Sequence, residues 1–237
     1  MNSKYGSIFL IPSTLGDTSP EQVLPAYNIQ LLQRLDVFVV EELRTARRFL
    51  RKCGYTKDFD STTFHILNEH TPEHDILSFL EQAKLGMDTG LLSEAGCPAV
   101  ADPGSMVVKL AQELGIRIVP LSGPSSIIMA LMASGFNGQN FTFHGYLPVK
   151  EPDRIKRIRE IERDSLKTGQ THIFIEAPYR NKHMIDSLLS SCGNDTMLCI
   201  ASNISLSDES VITAPVGRWK KMNPDPGKKP TVFLLSR

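Results

Sequence analysis

Leu91-Leu92-Ser93-Glu94-Ala95-Gly96-Cys97-Pro98-Ala99-Val100-Ala101-Asp102-Pro103-Gly104 holds the end of an apolar run, a loop of small residues and the approach to a helix. Thr89 to Leu92 reads as a buried strand, and a helical pattern resumes at Ser105. Small side chains at Ser93, Ala95 and Gly96 let a ligand approach the backbone, while Pro98 and Pro103 hold the loop in one shape at little entropic cost. This is the layout of a ligand loop at the carboxyl end of a sheet strand, although plain connectors share the composition.

Downstream, Ser105 to Leu114 reads as a helix closed by Gly115, and Ile116 to Leu121 as a strand. A strand, helix, strand unit of this length predicts parallel pairing. Ser122-Gly123-Pro124-Ser125-Ser126 then leads into a helix over Ile127 to Ala133. Amides and two hydroxyls at a helix start suit polar or anionic groups, and equally an ordinary capped helix. No Walker lysine and no Gly-x-Gly-x-x-Gly accompanies any strand.

Upstream, Ser7 to Ile11 is a short strand emptying into Pro12-Ser13-Thr14-Leu15-Gly16-Asp17, a second candidate ligand edge. Ser19-Pro20-Glu21-Gln22 has the pattern of a capping box, but Pro25 breaks a helix already under way, which places the helix over Pro25 to Leu35. Val37 to Val40 is a buried strand ending at Glu41-Glu42, two carboxylates that suit either a site or a surface. Arg44, Arg47, Arg48 and Arg51 follow at i, i+3, i+4 and i+7, making one helix face cationic. Like charges so spaced repel by a few tenths of a kcal/mol per pair, so the row points to a polyanion or to neutralising acids elsewhere. Thr63 to Leu67 reads as a strand, and Thr71-Pro72-Glu73 as the cap of a helix running to Leu85. His65, His70 and His74 need not share a face and lack completing ligands, so no metal is expected.

In the second half, Phe141 to Tyr146 alternates like a half-buried strand. Lys150 to Arg163, with six basic and four acidic residues, reads as a solvated helix. Thr171 to Glu176 is a strand, followed by a helix to Ser191. Thr196 to Ser202 and Val211 to Ala214 read as antiparallel neighbours, and the basic loop Asn223 to Lys229 precedes a last strand, Thr231 to Leu235. The pattern predicts two α/β domains, residues 1–121 with a mostly parallel sheet and 122–237 with a mixed one, meeting near Leu121.

The chain has 237 residues, 41% of them hydrophobic, enough for a sizeable core. Its 26 basic and 26 acidic residues cancel, so no global field draws it to nucleic acid or membrane and any RNA contact needs a local patch. Cys53, Cys97, Cys192 and Cys199 form no Cys-x-x-Cys pair, and Met1-Asn2-Ser3-Lys4 leads into a strand rather than a signal sequence, which favours the cytoplasm. No apolar run approaches the roughly 20 residues of a membrane helix.

Ile11 to Asp17, the central loop, Pro120 to Ser126, Ala130-Leu131 with Ser134-Gly135, and His144-Gly145-Tyr146-Leu147-Pro148 together resemble the tetrapyrrole-methylase superfamily. Among its branches the chain is most similar to the small-subunit 16S rRNA 2′-O-ribose cytidine methyltransferases, with further matches at Phe174-Ile175-Glu176 through Arg180 and at Ala214-Pro215-Val216-Gly217. The resemblance implies an S-adenosylmethionine-dependent methyltransferase, homodimeric, with the cofactor in a cleft between two α/β domains. It places the cofactor against Leu15, against Ala95, Gly96 and Cys97, and against Ser125 and Ser126, with Ile175 and Ile204 closing the pocket. Glu41-Glu42-Leu43-Arg44 stands where the family has Glu-Asp-Thr-Arg.

Two stretches depart from that branch. Ser202-Asn203-Ile204-Ser205-Leu206 replaces Arg-Glu-Leu-Thr-Lys, removing every charge, and Asn68-Glu69-His70-Thr71 replaces His-Asp-His-Asn. The cofactor side is therefore better preserved than the acceptor side. Glu41, Glu42, Glu176 or Lys150 could take or orient the proton of a ribose hydroxyl. Three functions follow from this reading: methylation of a ribose in small-subunit rRNA, methylation of a small molecule such as a tetrapyrrole, or cofactor binding without catalysis. Arg44, Arg47, Arg48 and Arg51 favour the first, as a small acceptor has no use for them.

Overall fold

Each strand of the first half is short and followed by a crossover too long for a hairpin, so neighbours pair in parallel. A computed structural model describes residues 5–237, and Met1-Asn2-Ser3-Lys4, the start read as lacking a signal sequence, lies outside the described residues. The chain divides into two compact units, the first ending at Ser125 and the second running from Ser126 to Arg237.

The first unit runs β1 (Ser7–Ile11), α1 (Pro20–Val23), α2 (Ala26–Leu32), β2 (Val37–Val40), α3 (Leu43–Lys52), β3 (Thr63–Ile66), α4 (Glu73–Phe79), α5 (Glu81–Lys84), β4 (Thr89–Leu92), α6 (Gly104–Glu113) and β5 (Arg117–Pro120). Its five strands form a parallel sheet in the order β3-β2-β4-β1-β5. β2 and β4 are buried at every position, as strands covered on both faces must be. Alternate residues feed separate cores: Ile8, Val39 and Leu91 pack with Ile76, Leu80, Val107 and Leu110, while Ile11, Phe38 and Leu92 pack with Leu31, Leu32 and Leu50. Because the strands are parallel, the loops after all five leave from one edge of the sheet.

Two helices differ from expectation. Pro25 does interrupt, but on either side of it the chain still forms helix, one turn before and α2 after, which ends at Leu32 rather than Leu35. The helix expected over Thr71 to Leu85 breaks at Leu80, whose amide meets the carbonyl of Leu77 in a tighter turn; the bend keeps Leu80 and Ala83 fully buried. Thr71 is not its cap: Pro72 holds that position and Thr71 Oγ1 accepts from Asn68 N at 2.9 Å.

The second unit runs α7 (Ser126–Ser134), β6 (Phe141–Tyr146), α8 (Glu151–Thr168), β7 (Thr171–Glu176), α9 (Asn181–Ser191), β8 (Met197–Ser202), β9 (Ser210–Pro215), α10 (Val216–Met222) and β10 (Thr231–Ser236). The sheet is mixed, in the order β6-β7-β10-β8-β9. The last strand enters its centre, antiparallel to both β7 and β8. One face packs Phe174, Phe233, Leu198 and Leu235 against Ile158, Ile161, Met184, Ile185 and Leu188 of α8 and α9. Helix α10 has no counterpart in the sequence reading. It is too short for a clear period, and it is held by Trp219, whose Nε1 donates to Leu198 O at 2.8 Å. The first sheet, expected to be mostly parallel, is parallel throughout, and the second is mixed as expected.

Candidate functional site

The three small-residue loops of the first unit meet at the carboxyl edge of its sheet. Ser13 N donates to Gly96 O at 3.0 Å, tying the loop after β1 to the loop after β4. Cys97 Sγ donates to Pro124 O at 3.4 Å, tying the latter to the loop after β5. Gly96 has φ of +74°, and a Cβ there would stand 3.1 Å from Leu15 Cδ2 and 3.2 Å from Pro124 O. Its smallness therefore first serves the contact between loops, not a ligand alone. At Gly123 a Cβ would overlap the ring of Pro12, so this junction too admits only glycine.

Asp102 organises the interior of the central loop. Its Oδ1 accepts from Ala99 N at 2.9 Å and Gly104 N at 2.7 Å, bracketing Ala99 and Ala101, both in the left-handed region at φ of +65° and +59°. Alanine rarely adopts that conformation, and such strain gathers at ligand loops and active sites. Burial pushes the Asp102 carboxyl up, opposed by the two amides it accepts from.

Beside these loops lies a cavity of about 480 Å³, lined by Ser13, Thr14 and Leu15 after β1, Glu41 at the end of β2, Thr45, Arg48 and Lys52 of α3, and Ser93 and Glu94 after β4. Its volume is that of a small-molecule site. Ser13 is 4% exposed and its Oγ has no hydrogen-bond partner among the described residues, an orphaned group on the cavity wall. The sequence reading did not single out Ser13, since one serine in a loop carries no signal until its burial is known.

Glu41 and Glu42, adjacent in sequence, are separated in role. Glu41 lines the cavity and accepts from Glu94 N at 3.1 Å. Burial pushes its carboxyl above the usual range, the Glu94 amide opposes this, and the charges of Asp102 and Glu94 add to it. Glu42 caps α3, accepting from Arg44 N at 2.9 Å and Thr45 N at 2.7 Å, and those donors hold its carboxyl low. Lys52 pairs with Asp17 at 2.6 Å across the cavity mouth.

The arginine row of α3 is also divided. Arg51 donates from Nη1 to Tyr55 O at 2.5 Å and to Lys57 O at 2.9 Å, and stacks 4.0 Å from the Phe59 ring. Arg47 lies over Phe59 and Phe64 at 5.3 and 5.4 Å. Arg44 and Arg48 are exposed, with no salt bridge among the described residues, and Arg48 lines the cavity.

Ser125 ends the first unit and Ser126 begins α7 of the second. In the second unit Ile175 is half-buried on β7 and Ile204 buried in the turn after β8. Glu176 is 4% exposed and its Oε1 takes Arg180 Nε at 2.8 Å and Nη2 at 2.7 Å. Lys150 is exposed at the N-cap of α8. His65 stacks on Phe79 at 4.7 Å, while His70 and His74 are exposed; among the described residues no group of three or more His, Cys, Asp or Glu could hold a metal ion.

A relay of titratable groups, unforeseen in the sequence, crosses β6, β7 and α8. Arg157 Nη2 donates to His144 Nδ1 at 3.2 Å, which leaves the proton on Nε2 to donate to His172 Nδ1 at 2.8 Å. His172 Nε2 lies 3.3 Å from Asp164 Oδ2. Burial, then the charges of His172 and Arg157, push His144 down to about 4.

The family model of Tetrapyrrole (Corrin/Porphyrin) Methylases matches residues 24–219. The ribosomal RNA small subunit methyltransferase I of Leptospira borgpetersenii serovar Hardjo-bovis is 31% identical over 98% of this chain and 88% of its own length. The protein of the same name from Escherichia coli O157:H7 is 26% identical over 99% of this chain and 79% of its own. Among solved structures, the methyltransferase CobJ superposes with a TM-score of 0.65 at 16% identity, covering 98% of this chain and 94% of that one. Uroporphyrin-III C-methyl transferase from Thermus thermophilus, complexed with S-adenyl homocysteine, superposes with a TM-score of 0.61 at 17% identity over 98% of both chains.

Proposed function

The chain belongs to the tetrapyrrole methylase family, and from that premise we propose that it transfers a methyl group from S-adenosylmethionine to a ribose 2′-hydroxyl of small-subunit rRNA. The observation that carries the reading is likeness over almost the whole chain to relatives named for that rRNA, at 26 to 31% identity. Arg44 and Arg48, exposed and without salt bridges among the described residues, support it by offering phosphate contacts that a small acceptor does not need.

The first unit fits the cofactor. Orphaned Ser13 Oγ and the half-exposed Leu15 offer a polar edge and a small apolar surface on a cavity of suitable size, and the loop carrying Ala95, Gly96 and Cys97, which does not line that cavity, is tied to it through the Ser13 N to Gly96 O bond. To these we add Ser125, Ser126, Ile175 and Ile204, as the resemblance does. S-adenosylmethionine supplies an electrophilic methyl on a sulfonium, so the chain's residues chiefly hold the acceptor in line and take its proton. Of the candidate carboxylates, Glu41 is the one suited to taking that proton, because it lines the cavity and its raised affinity for a proton makes it a better base. Glu42 is committed to capping, Glu176 to Arg180, and Lys150 is open to solvent.

A homodimer is part of this reading. Exposed Ile128 and Met132 on α7, a helix without a charged residue, support a buried outer face. So is an assembled subunit as substrate, because a chain with no net charge holds a long free RNA weakly at physiological salt, whereas a preformed surface lowers the cost of ordering. No described helix is long and apolar enough to cross a membrane.

The test is transfer of tritiated methyl to under-methylated small subunits, with the product located by nuclease digestion and mass spectrometry. Label on ribose is expected. Label on a base or a tetrapyrrole overturns the acceptor, and absence of label with the cofactor bound favours a non-catalytic protein.

A further inference from the structure

The sequence of α8 reads as mixed charge, but folding sorts those charges. Of its five acids, Glu151 and Asp153 lie exposed in the first turn, and the three beyond it are engaged: Glu160 pairs with Arg157 at 3.2 Å, and Asp164 faces His172 at 3.3 Å. Glu162 Oε1 accepts from Gly193 N at 2.7 Å and from Thr196 Oγ1, and meets Arg237 Nη1 at 3.5 Å. Arg154 turns inward, buried, donating to Ser187 Oγ at 2.9 Å and Val149 O at 2.6 Å.

What remains is a row of exposed cations, Lys156, Arg159, Arg163 and Lys167, at i, i+3, i+7 and i+11 on one face and spread over about 17 Å of helix axis. None of the four has a salt bridge among the described residues. Lys156, Arg159 and Arg163 line a groove of about 420 Å³ whose floor includes Pro152 and Ile155 and whose one acid is the already engaged Glu162. Three successive like-charge pairs at helical spacing oppose folding by a few tenths of a kcal/mol each, and no salt bridge among the described residues offsets them.

We infer that this face of α8 is a phosphate-binding surface, a second contact with the rRNA, independent of α3. The inference rests on the rRNA reading above. Its occupant is the sugar–phosphate backbone of folded RNA: a line of exposed cations without salt bridges along a groove complements a regular polyanion, and the apolar floor accepts a sugar or base face. The contact positions the particle and reads no base.

The experiment compares wild type with the triple variant K156A/R159A/R163A in equilibrium binding to small subunits and to naked small-subunit rRNA between 50 and 200 mM salt, two conditions chosen because they span roughly the range where phosphate contacts show. The slope of log affinity on log salt should become shallower by about 2 to 3 units on both targets, at 0.7 to 0.9 per lost contact. The charge-keeping variant R159K/R163K should hold the wild-type slope, and calorimetric cofactor affinity should match wild type in every variant. An unchanged slope overturns the inference. So does a loss confined to assembled subunits with naked RNA unaffected, which marks a ribosomal protein as the occupant. If wild type methylates rRNA while the triple variant keeps its slope, the surface fails and the function stands. If wild type binds rRNA with a slope the variant loses, yet methylates no ribose, the function fails and the surface stands.

Discussion

The backbone amide of Glu94 donates to the carboxylate of Glu41 across 3.1 Å, joining the end of β2 to the loop after β4. The bond fixes a half-buried carboxylate on the cavity wall. A carboxylate so placed has a settled geometry and a raised proton affinity, as the end of a proton transfer requires.

Glu41→Gln should slow methyl transfer about 100-fold while cofactor affinity measured by calorimetry moves little. The variant should also change the pH dependence of stability. The folded carboxyl holds its proton to higher pH than the unfolded one, so its contribution is present below the ordinary glutamate range and is lost as pH rises through the raised value. Denaturant midpoints at pH 4 and 8 should therefore converge in the variant relative to wild type, and parallel curves would refute the shift.

Gly123→Ala should destabilise the first unit by about 3 kcal/mol, since its Cβ overlaps Pro12 and the overlap can be relieved only by moving backbone. Gly96→Ala meets side-chain and carbonyl contacts at 3.1 and 3.2 Å together with a positive φ, and should lower cofactor affinity as well as stability. Thermal melts with and without cofactor separate the two. If both variants melt like wild type, the loop junction is looser than its geometry states.

Arg48→Ala and Arg51→Ala should part company. Arg51 serves the chain itself, so its loss should cost about 1 kcal/mol of stability with little effect on the salt dependence of RNA binding. Arg48 lacks a salt bridge among the described residues, so its loss should leave stability within about 0.5 kcal/mol and reduce the salt slope by somewhat less than one unit. The reverse pattern in paired melts and binding titrations would reassign the face.

His144→Gln should flatten the acid side of the stability curve. Folding lowers this imidazole's proton affinity to about 4, so its contribution is present above the ordinary histidine value near 6.5 and is lost as pH falls toward 4. Melting temperature followed across that window should fall less in the variant than in wild type. Equal falls would show that the relay titrates as it does in the unfolded chain.

Much of the architecture was legible in local sequence because its signals are local. Apolar runs at β2 and β4, buried at every position, mark strands covered on both faces, and the crossover between β4 and β5 makes those strands parallel, although they do not pair with each other because β1 lies between them. The small-residue loops at Ser13, Gly96 and Gly123 stand out because glycine and proline constrain the backbone wherever they occur. What depends on contacts between distant residues was decided only in three dimensions. Leu80 breaks a helix to reach the core, and β10 enters the middle of its sheet. Glu41 and Glu42 are neighbours of one chemistry, yet one faces a cavity and the other caps a helix, because the helix start at Leu43 turns them to different surroundings. The same holds for charge: the composition of α8 records acids and bases in similar number, while only its packing, through Glu160, Glu162 and Asp164, determines which cations are left facing outward.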